Sequence, residues 1–350
     1  MYKKSTISYF DFFSGIGGFR LAANTINSSK FAFKHNGYCE IDNTARMMYE
    51  ESINKTSNLF FVDNINKIIT KKNKIGIKLD EFDLMLAGFP CQSFSNVGYR
   101  RGLEDSRGKL FYNILDILDF YSPKYFILEN VQKISTIKLG KLLIEMRKSL
   151  ENIGKSYHLH IWDLNSRDYG LPQNRRRVFF CGIRSDLSSK KTINEPPKKK
   201  LSNSKYPTTW HLLEKKIFQQ HIIPKKTRKT VLYKNEKWMG NVHIDNYIAR
   251  PITATMGKWH RANQDNYFSE TYLNEKNINP LERPKIKLEK EKIRRISPLE
   301  GFRLQGFPDV FDDYRKKLSI SNTAVYRLIG NAVPIDLARA VISHFLKSYL

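Results

Sequence analysis

Three short stretches of the 350-residue sequence carry side chains that could perform or assist covalent chemistry. Pro90-Cys91-Gln92-Ser93-Phe94-Ser95 offers a thiol, Glu129-Asn130-Val131 a carboxylic acid, and Gln173-Asn174-Arg175-Arg176-Arg177 two guanidinium groups at alternate positions, which an extended chain sends to one face. A thiolate is a strong nucleophile and a carboxyl group can hold or release a proton. An isolated cysteine is by default a small buried hydrophobe. Cys91 departs from that default through its setting, after an apolar strand-like run and before a polar stretch interrupted by Gly98, Gly102 and Gly108 that reads as a loop.

A second set of residues suits a nucleoside-like ligand. The run Asp11-Phe12-Phe13-Ser14-Gly15-Ile16-Gly17-Gly18-Phe19 is a glycine-rich turn expected to open a helix, where backbone N–H groups can approach a ligand closely. Arg20 stands where a dinucleotide fingerprint has its third glycine, which disfavours a nicotinamide or flavin dinucleotide. Glu40 closes the next predicted strand, where a carboxylate can take both hydroxyls of a ribose, and Asp63 closes the third, where it could accept from an adenine amino group. Each alone is an ordinary strand-end acid. Together they suit an adenosine-containing ligand without a pyrophosphate.

The elements that must position these residues follow from hydrophobic periodicity. Strands are predicted over Ile7–Phe13, Gly37–Ile41, Leu59–Val62, Asp83–Ala87, Tyr125–Glu129, His158–Leu164 and Arg177–Ile183. Helical spacing predicts helices over Asp42–Glu51, Lys109–Tyr121, Thr136–Ile153 and Pro334–Tyr349. This alternation belongs to an α/β fold, a parallel sheet covered by helices. Ligands then bind beyond the carboxyl ends of the strands, where the candidate residues cluster.

Charge locates a second function. The chain carries 60 Lys and Arg against 34 Asp and Glu, a net charge of +26, which makes a polyanion the leading partner. From Ser189 to Lys237 there are 14 Lys or Arg against three Glu, a surplus of 11 in 49 residues, and the α/β alternation stops. Tyr206, Trp210, Phe218 and Tyr233 interleave this basic stretch, and Lys258-Trp259-His260-Arg261 follows it, a mixture suited to phosphates and bases. Three cysteines without a Cys-x-x-Cys pair support neither a disulfide framework nor a zinc site, so no metal is expected. With no secretory or membrane-spanning apolar run, a cytoplasmic protein is expected.

In order along the chain, the glycine turn, Glu40, Asp63, Pro90-Cys91-Gln92, Glu129-Asn130-Val131, Gln173-x-Arg175-x-Arg177, Arg303-Leu304-Gln305-Gly306-Phe307-Pro308 and Gly330-Asn331-Ala332-Val333-Pro334 resemble the motifs of DNA cytosine-5 methyltransferases of the bacterial restriction–modification type. The resemblance implies an S-adenosylmethionine-dependent, Rossmann-like, doubly wound α/β sheet with a second, smaller DNA-recognition domain. It implies a catalytic and cofactor-binding domain over residues 1–188, a target-recognition domain over 189–293, a hinge and return segment over 294–329, and a C-terminal helix within 330–350 that completes the catalytic domain. The partner implied is double-stranded DNA, met by a monomer away from any membrane, with a cognate restriction endonuclease encoded nearby but not necessarily bound.

The resemblance also assigns roles. Cys91 would add to carbon-6 of cytosine, turning the electron-poor carbon-5 into an enamine carbon that accepts the methyl group. Arg175 or Arg177 would favour the thiolate, Glu129 would share a proton with nitrogen-3, and Asn130 would orient the loop. The target atom is shielded in a duplex, so the base must flip out, with Cys91–Leu110 closing over it. Phe13, Gly15, Gly17, Gly18, Glu40, Ile41, Asp63, Asn64, Pro90, Leu110, Asn331 and Ala332 would hold S-adenosylmethionine. Gln92, Ser95, Arg175, Thr253, Lys258 and Arg261 would contact DNA. Ile41 stands where many members have a tryptophan against the adenine, and Asn64 intervenes before Ile65. A transfer-RNA-methylating member would share the core, but the Cys-Phe-Thr motif of that branch is absent; a catalytically inactive DNA-binding protein would not need Cys91, Glu129 and Arg175 together.

Overall fold

A computed structural model describes residues 4–53, 59–90, 109–135, 140–189, 192–216, 218–233, 243–275 and 288–350. Its central sheet has seven strands: β1 (Ser5–Phe12), β2 (Phe31–Cys39), β3 (Phe60–Val62), β4 (Leu84–Gly88), β5 (Tyr125–Val131), β6 (Tyr157–Asn165) and β7 (Arg176–Arg184). They lie in the order β3-β2-β1-β4-β5-β7-β6, with β1 to β5 mutually parallel and β7 antiparallel to β5. Leu84, Met85, Leu86 and Ala87 of β4 are all fully buried, as expected for a strand covered on both faces. Ile114 and Leu118 of the helix Lys109–Tyr121, and Met146 and Leu150 of the helix Lys141–Glu151, bury their apolar faces in the same core as Met85 and Leu128. Chain order runs outward in both directions from β1 and β4, so their carboxyl ends form the switch point where an open α/β sheet takes its ligand.

The chain divides into two compact units. The first comprises Met1–Leu164, Arg176–Pro197 and Leu337–Leu350, and the second Asn165–Arg175 and Lys198–Asp336. The second contains short helices and a two-stranded antiparallel sheet, β8 (Tyr267–Ser269) and β9 (Ile293–Arg295), with a core of Ile223, Val231, Leu232, Tyr267 and Ile293. Residues 165–175 and 330–336, which the motif order groups with the catalytic portion, fall in this second unit. Gln173 explains why, since its Nε2 donates to the Leu304 carbonyl at 2.9 Å and its Oε1 accepts from the Ile252 N–H at 2.9 Å.

The strands lie where periodicity puts them, with two departures among the elements. β2 begins at Phe31, six residues before the predicted start at Gly37, because Lys34, His35 and Asn36 face a partly exposed surface and blur the apolar pattern. In place of one helix from Thr136 there is a 3-10 turn over Gln132–Ser135 and a helix beginning at Lys141, after Gly140 in the left-handed region at φ 82°. Residues 136–139 lie outside the described residues. Among the described residues no helix is long and apolar enough to cross a membrane.

Candidate active site

The turn after β1 places three residues in left-handed backbone, Phe13 at φ 52°, Gly15 at φ 55° and Gly17 at φ 91°. Around a Cβ placed on Gly15 there would be nothing within 4 Å, so this stretch of backbone borders open space. The Ser14 N–H donates to the Cys39 carbonyl at 3.1 Å, which ties the turn to the end of β2. Glu40 completes it: Oε2 accepts from the Gly15 N–H and Oε1 from the Asp42 N–H, both at 2.8 Å. Each carboxylate oxygen retains a lone pair for a further donor, such as a ribose hydroxyl. Burial pushes the Glu40 carboxyl above the usual range, and the two backbone donors oppose that shift. Asp42 then caps the helix Asn43–Glu51 through the N–H groups of Thr44 and Ala45, which sets the direction of the chain leaving Glu40.

Beside Glu40, Ile41 is 73% exposed, an apolar surface fit to pack against a flat ring. The Glu40 N–H donates to the Val62 carbonyl at 3.2 Å, and so Asp63 follows at the neighbouring strand end. Lys67 bonds Asp63 at 2.7 Å and holds its carboxyl below the usual range, keeping it an acceptor. Asn64 caps the short 3-10 helix Ile65–Lys67. Pro90 is exposed past the end of β4, whereas Leu110 packs its side chain against the core. This set fits S-adenosylmethionine: open backbone for the methionine portion, a two-oxygen acceptor for the ribose, an apolar face and an acceptor for the adenine.

At the end of β5, the buried Glu129 carboxylate accepts from Arg177 Nε at 2.7 Å. Antiparallel pairing of Glu129 with Phe179 and of Val131 with Arg177 brings the two together. Next to it, Asn130 Nδ2 donates to the Phe89 carbonyl at 3.1 Å and its Oδ1 accepts from the Val131 N–H at 2.8 Å, joining the end of β5 to the residue before Pro90. Cys91, Gln92 and Ser95 lie outside the described residues, as does most of the Cys91–Leu110 stretch.

Arg175 behaves differently from its neighbour. Strand alternation predicts that both arginines share a face, but Arg175 precedes β7, its N–H donating to the Gln173 carbonyl and its carbonyl accepting from Ser166. It is 2% exposed, and its guanidinium donates to the carbonyls of Ile252, Gly330 and Ala332 at 2.9–3.0 Å. Within the second unit it ties the segments at Ile252 and at Gly330–Ala332 to its own. Gly330 belongs to the same junction, since a Cβ there would meet the backbone of Thr253 and Ala254 at 2.4 Å. Arg175→Met should therefore destabilise the fold by about 3 kcal/mol through carbonyls left without donors. A urea-unfolding midpoint equivalent to less than 1 kcal/mol of loss would contradict this role.

The second unit also holds the exposed Asn331 at the end of the helix Asn322–Asn331, the buried Ala332 that caps it, and Thr253, Lys258 and Arg261. Thr253 and Lys258 are exposed, and Arg261 donates to the Thr230 carbonyl at 3.3 Å. In the sequence Arg20 only breaks a dinucleotide fingerprint. It is 4% exposed, lies 5.0 Å from the Tyr49 ring centre, and faces Asp11, whose carboxyl burial pushes up to about 8.

The glycine turn and strand-end acids lie on a parallel-rich α/β sheet, the fold class that takes ligands at such an edge. A family model described as C-5 cytosine-specific DNA methylase matches residues 7–347, and the chain belongs to that family of DNA cytosine methyltransferases. It is 29% identical to the type II methyltransferase M1.ScrFI of Lactococcus lactis subsp. cremoris, over 99% of this chain and 79% of that protein. It is 30% identical to the type II methyltransferase M.DsaV of Dactylococcopsis salina, over 99% and 87% respectively. The fold resembles that of the Entamoeba histolytica methyltransferase EhMeth (TM-score 0.73, 17% identity, 99% of both chains) and of the S. pombe Dnmt2 methyltransferase (TM-score 0.69, 21% identity, 98% of this chain and 99% of that one).

Proposed function

We propose that the protein is the sequence-specific modification methyltransferase of a restriction–modification system, acting on a cytosine flipped out of double-stranded DNA through a transient bond between Cys91 and carbon-6. The Glu129–Arg177 pair carries this reading, because it fixes a carboxyl group at the end of β5, beside the strand end that leads through Pro90 to Cys91. The type II relatives support the biological setting. Cytoplasmic action as a monomer, with an endonuclease encoded nearby, belongs to the same proposal.

S-adenosylmethionine, when bound, supplies an electrophilic methyl group on a sulfonium. The chain's residues do the rest. The Cys91 thiolate adds to carbon-6, and Glu129 shares a proton with nitrogen-3 as charge reaches the ring. Arg177 orients Glu129 and supplies positive charge at the same edge. Once carbon-5 carries the methyl group, its proton passes to water and the bond from Cys91 sulfur to carbon-6 breaks, which releases the thiolate and restores the aromatic ring. Asn130 positions the loop through its bond to Phe89, and Arg175 acts at a distance by holding the second unit's segments in place. Incubating the protein with labelled S-adenosylmethionine and either duplex DNA or transfer RNA, followed by bisulfite sequencing, tests the assignment. Label on transfer RNA alone, or on neither, overturns it.

Glu40→Ala should weaken S-adenosylmethionine binding, since each charge-assisted bond to the ribose is worth roughly 1.5–3 kcal/mol. DNA affinity without the cofactor should be unchanged. Titration calorimetry showing unaltered cofactor affinity would remove Glu40 from the site.

A further inference from the structure

Within the second unit, the segment Thr253–Arg261 is held rigid from beneath. Trp259 sits in the left-handed region at φ 54° and ψ 60°, a backbone conformation that a bulky side chain adopts when its surroundings enforce it. The enforcing contact is Arg295 of β9, whose guanidinium lies 4.0 Å from the Trp259 ring centre and 5.0 Å from that of the buried Tyr326. The same guanidinium donates to the Gly257 carbonyl at 3.1 Å. Tyr267, paired with Arg295 across the β8–β9 ladder, donates its hydroxyl to the His260 carbonyl at 2.6 Å. Both ends of the Gly257–His260 turn are thus fixed to the two-stranded sheet. Above this support the exposed side is polar, with Thr253 and Thr255 hydroxyls 3.5 Å apart, His260 Nε2 3.0 Å from the Thr255 hydroxyl, and Lys258 in solvent.

We propose that the Arg295–Trp259 stack is a specificity-determining clamp, which presets the Thr253–Arg261 turn for reading DNA bases. Arg295 is a positioning residue: at 8% exposure it acts through the turn. The inference rests on the reading of this turn as base-contacting. Guanidinium stacking on an indole gains strength when desolvated, and a turn already rigid in the free protein loses little conformational freedom on binding. Discrimination between bases depends on such placement, because a donor displaced by an ångström serves a wrong base as well as the right one.

The test compares methylation of the cognate site, found by sequencing, with that of sites changed by one base pair, using Trp259→Leu, Arg295→Gln and the double variant. The expected result is a loss of tenfold or more in the ratio of kcat/KM for cognate over altered sites. The double variant should lose no more than the worse single one, since both residues act through one contact. Because Arg295→Gln alters a buried group, thermal unfolding accompanies each assay, and Trp259→Leu, which leaves the Gly257 bond in place, decides if Arg295→Gln fails to fold. Unchanged discrimination in a folded Trp259→Leu variant overturns the clamp, as do additive losses in the double variant. A parent enzyme that methylates no DNA cytosine refutes the proposed function itself, whereas a selective parent with equally selective variants refutes the clamp alone.

Discussion

Replacing Cys91 by serine should abolish methylation, lowering kcat by at least about a thousandfold, while DNA and cofactor binding stay near the parent values. A hydroxyl fits the space of the thiol but ionises so weakly that addition to carbon-6 stalls, and without that addition carbon-5 never gains the electron density it needs. Duplex DNA with 5-fluorocytosine at the target should trap the parent enzyme covalently, because fluorine cannot leave as a proton does, and the serine variant should form no such adduct. Denaturing electrophoresis of the mixture reads the result directly. Substantial turnover by Cys91→Ser, or no adduct on a DNA whose unmodified counterpart is methylated, would end the covalent mechanism.

The second large effect should come from Glu129→Gln. The amide is nearly isosteric and can still accept from Arg177 Nε, now 2.7 Å from the carboxylate, so the fold at the end of β5 should persist. It cannot exchange a proton with nitrogen-3, and the expected cost in the single-turnover rate is roughly a hundredfold to ten-thousandfold, the usual worth of general acid–base catalysis. Binding of DNA, followed by fluorescence of 2-aminopurine beside the target, should change little. A single-turnover rate within threefold of the parent would show that Glu129 does not handle the proton. Arg177→Ala removes the orienting partner in place of the acid and should produce a smaller loss.

Much of the fold is legible in the sequence. The buried strands announce themselves through near-continuous apolar runs, Leu84-Met85-Leu86-Ala87 among them, and Glu40 and Glu129 are found at the ends of such runs, as expected of residues aimed beyond the sheet. β2 shows why some of it was not. Its middle carries Lys34, His35 and Asn36, so pairing with β1 rather than side-chain pattern makes it a strand. The Gln173–Arg177 motif is the clearer case. Alternation treats it as one extended stretch, yet Arg177 belongs to β7 and meets Glu129, while Arg175 lies just outside the strand with its donors given to three carbonyls.

By itself the sequence determined the class of the fold, the family, and the place along the chain where the basic stretch begins. All of these depend on residue type and spacing along one strand or turn, which are local properties. Only the tertiary structure decided which of two neighbouring arginines touches the Glu129 carboxylate, that Gln173 and Arg175 are part of the second unit, and that Arg295 lies against Trp259, 36 positions earlier in the chain. Those outcomes depend on which backbone carbonyls, rings and carboxylates from distant segments meet at one point. Hydrogen bonds and guanidinium stacks are short-ranged and directional, so no periodicity in the chain encodes them.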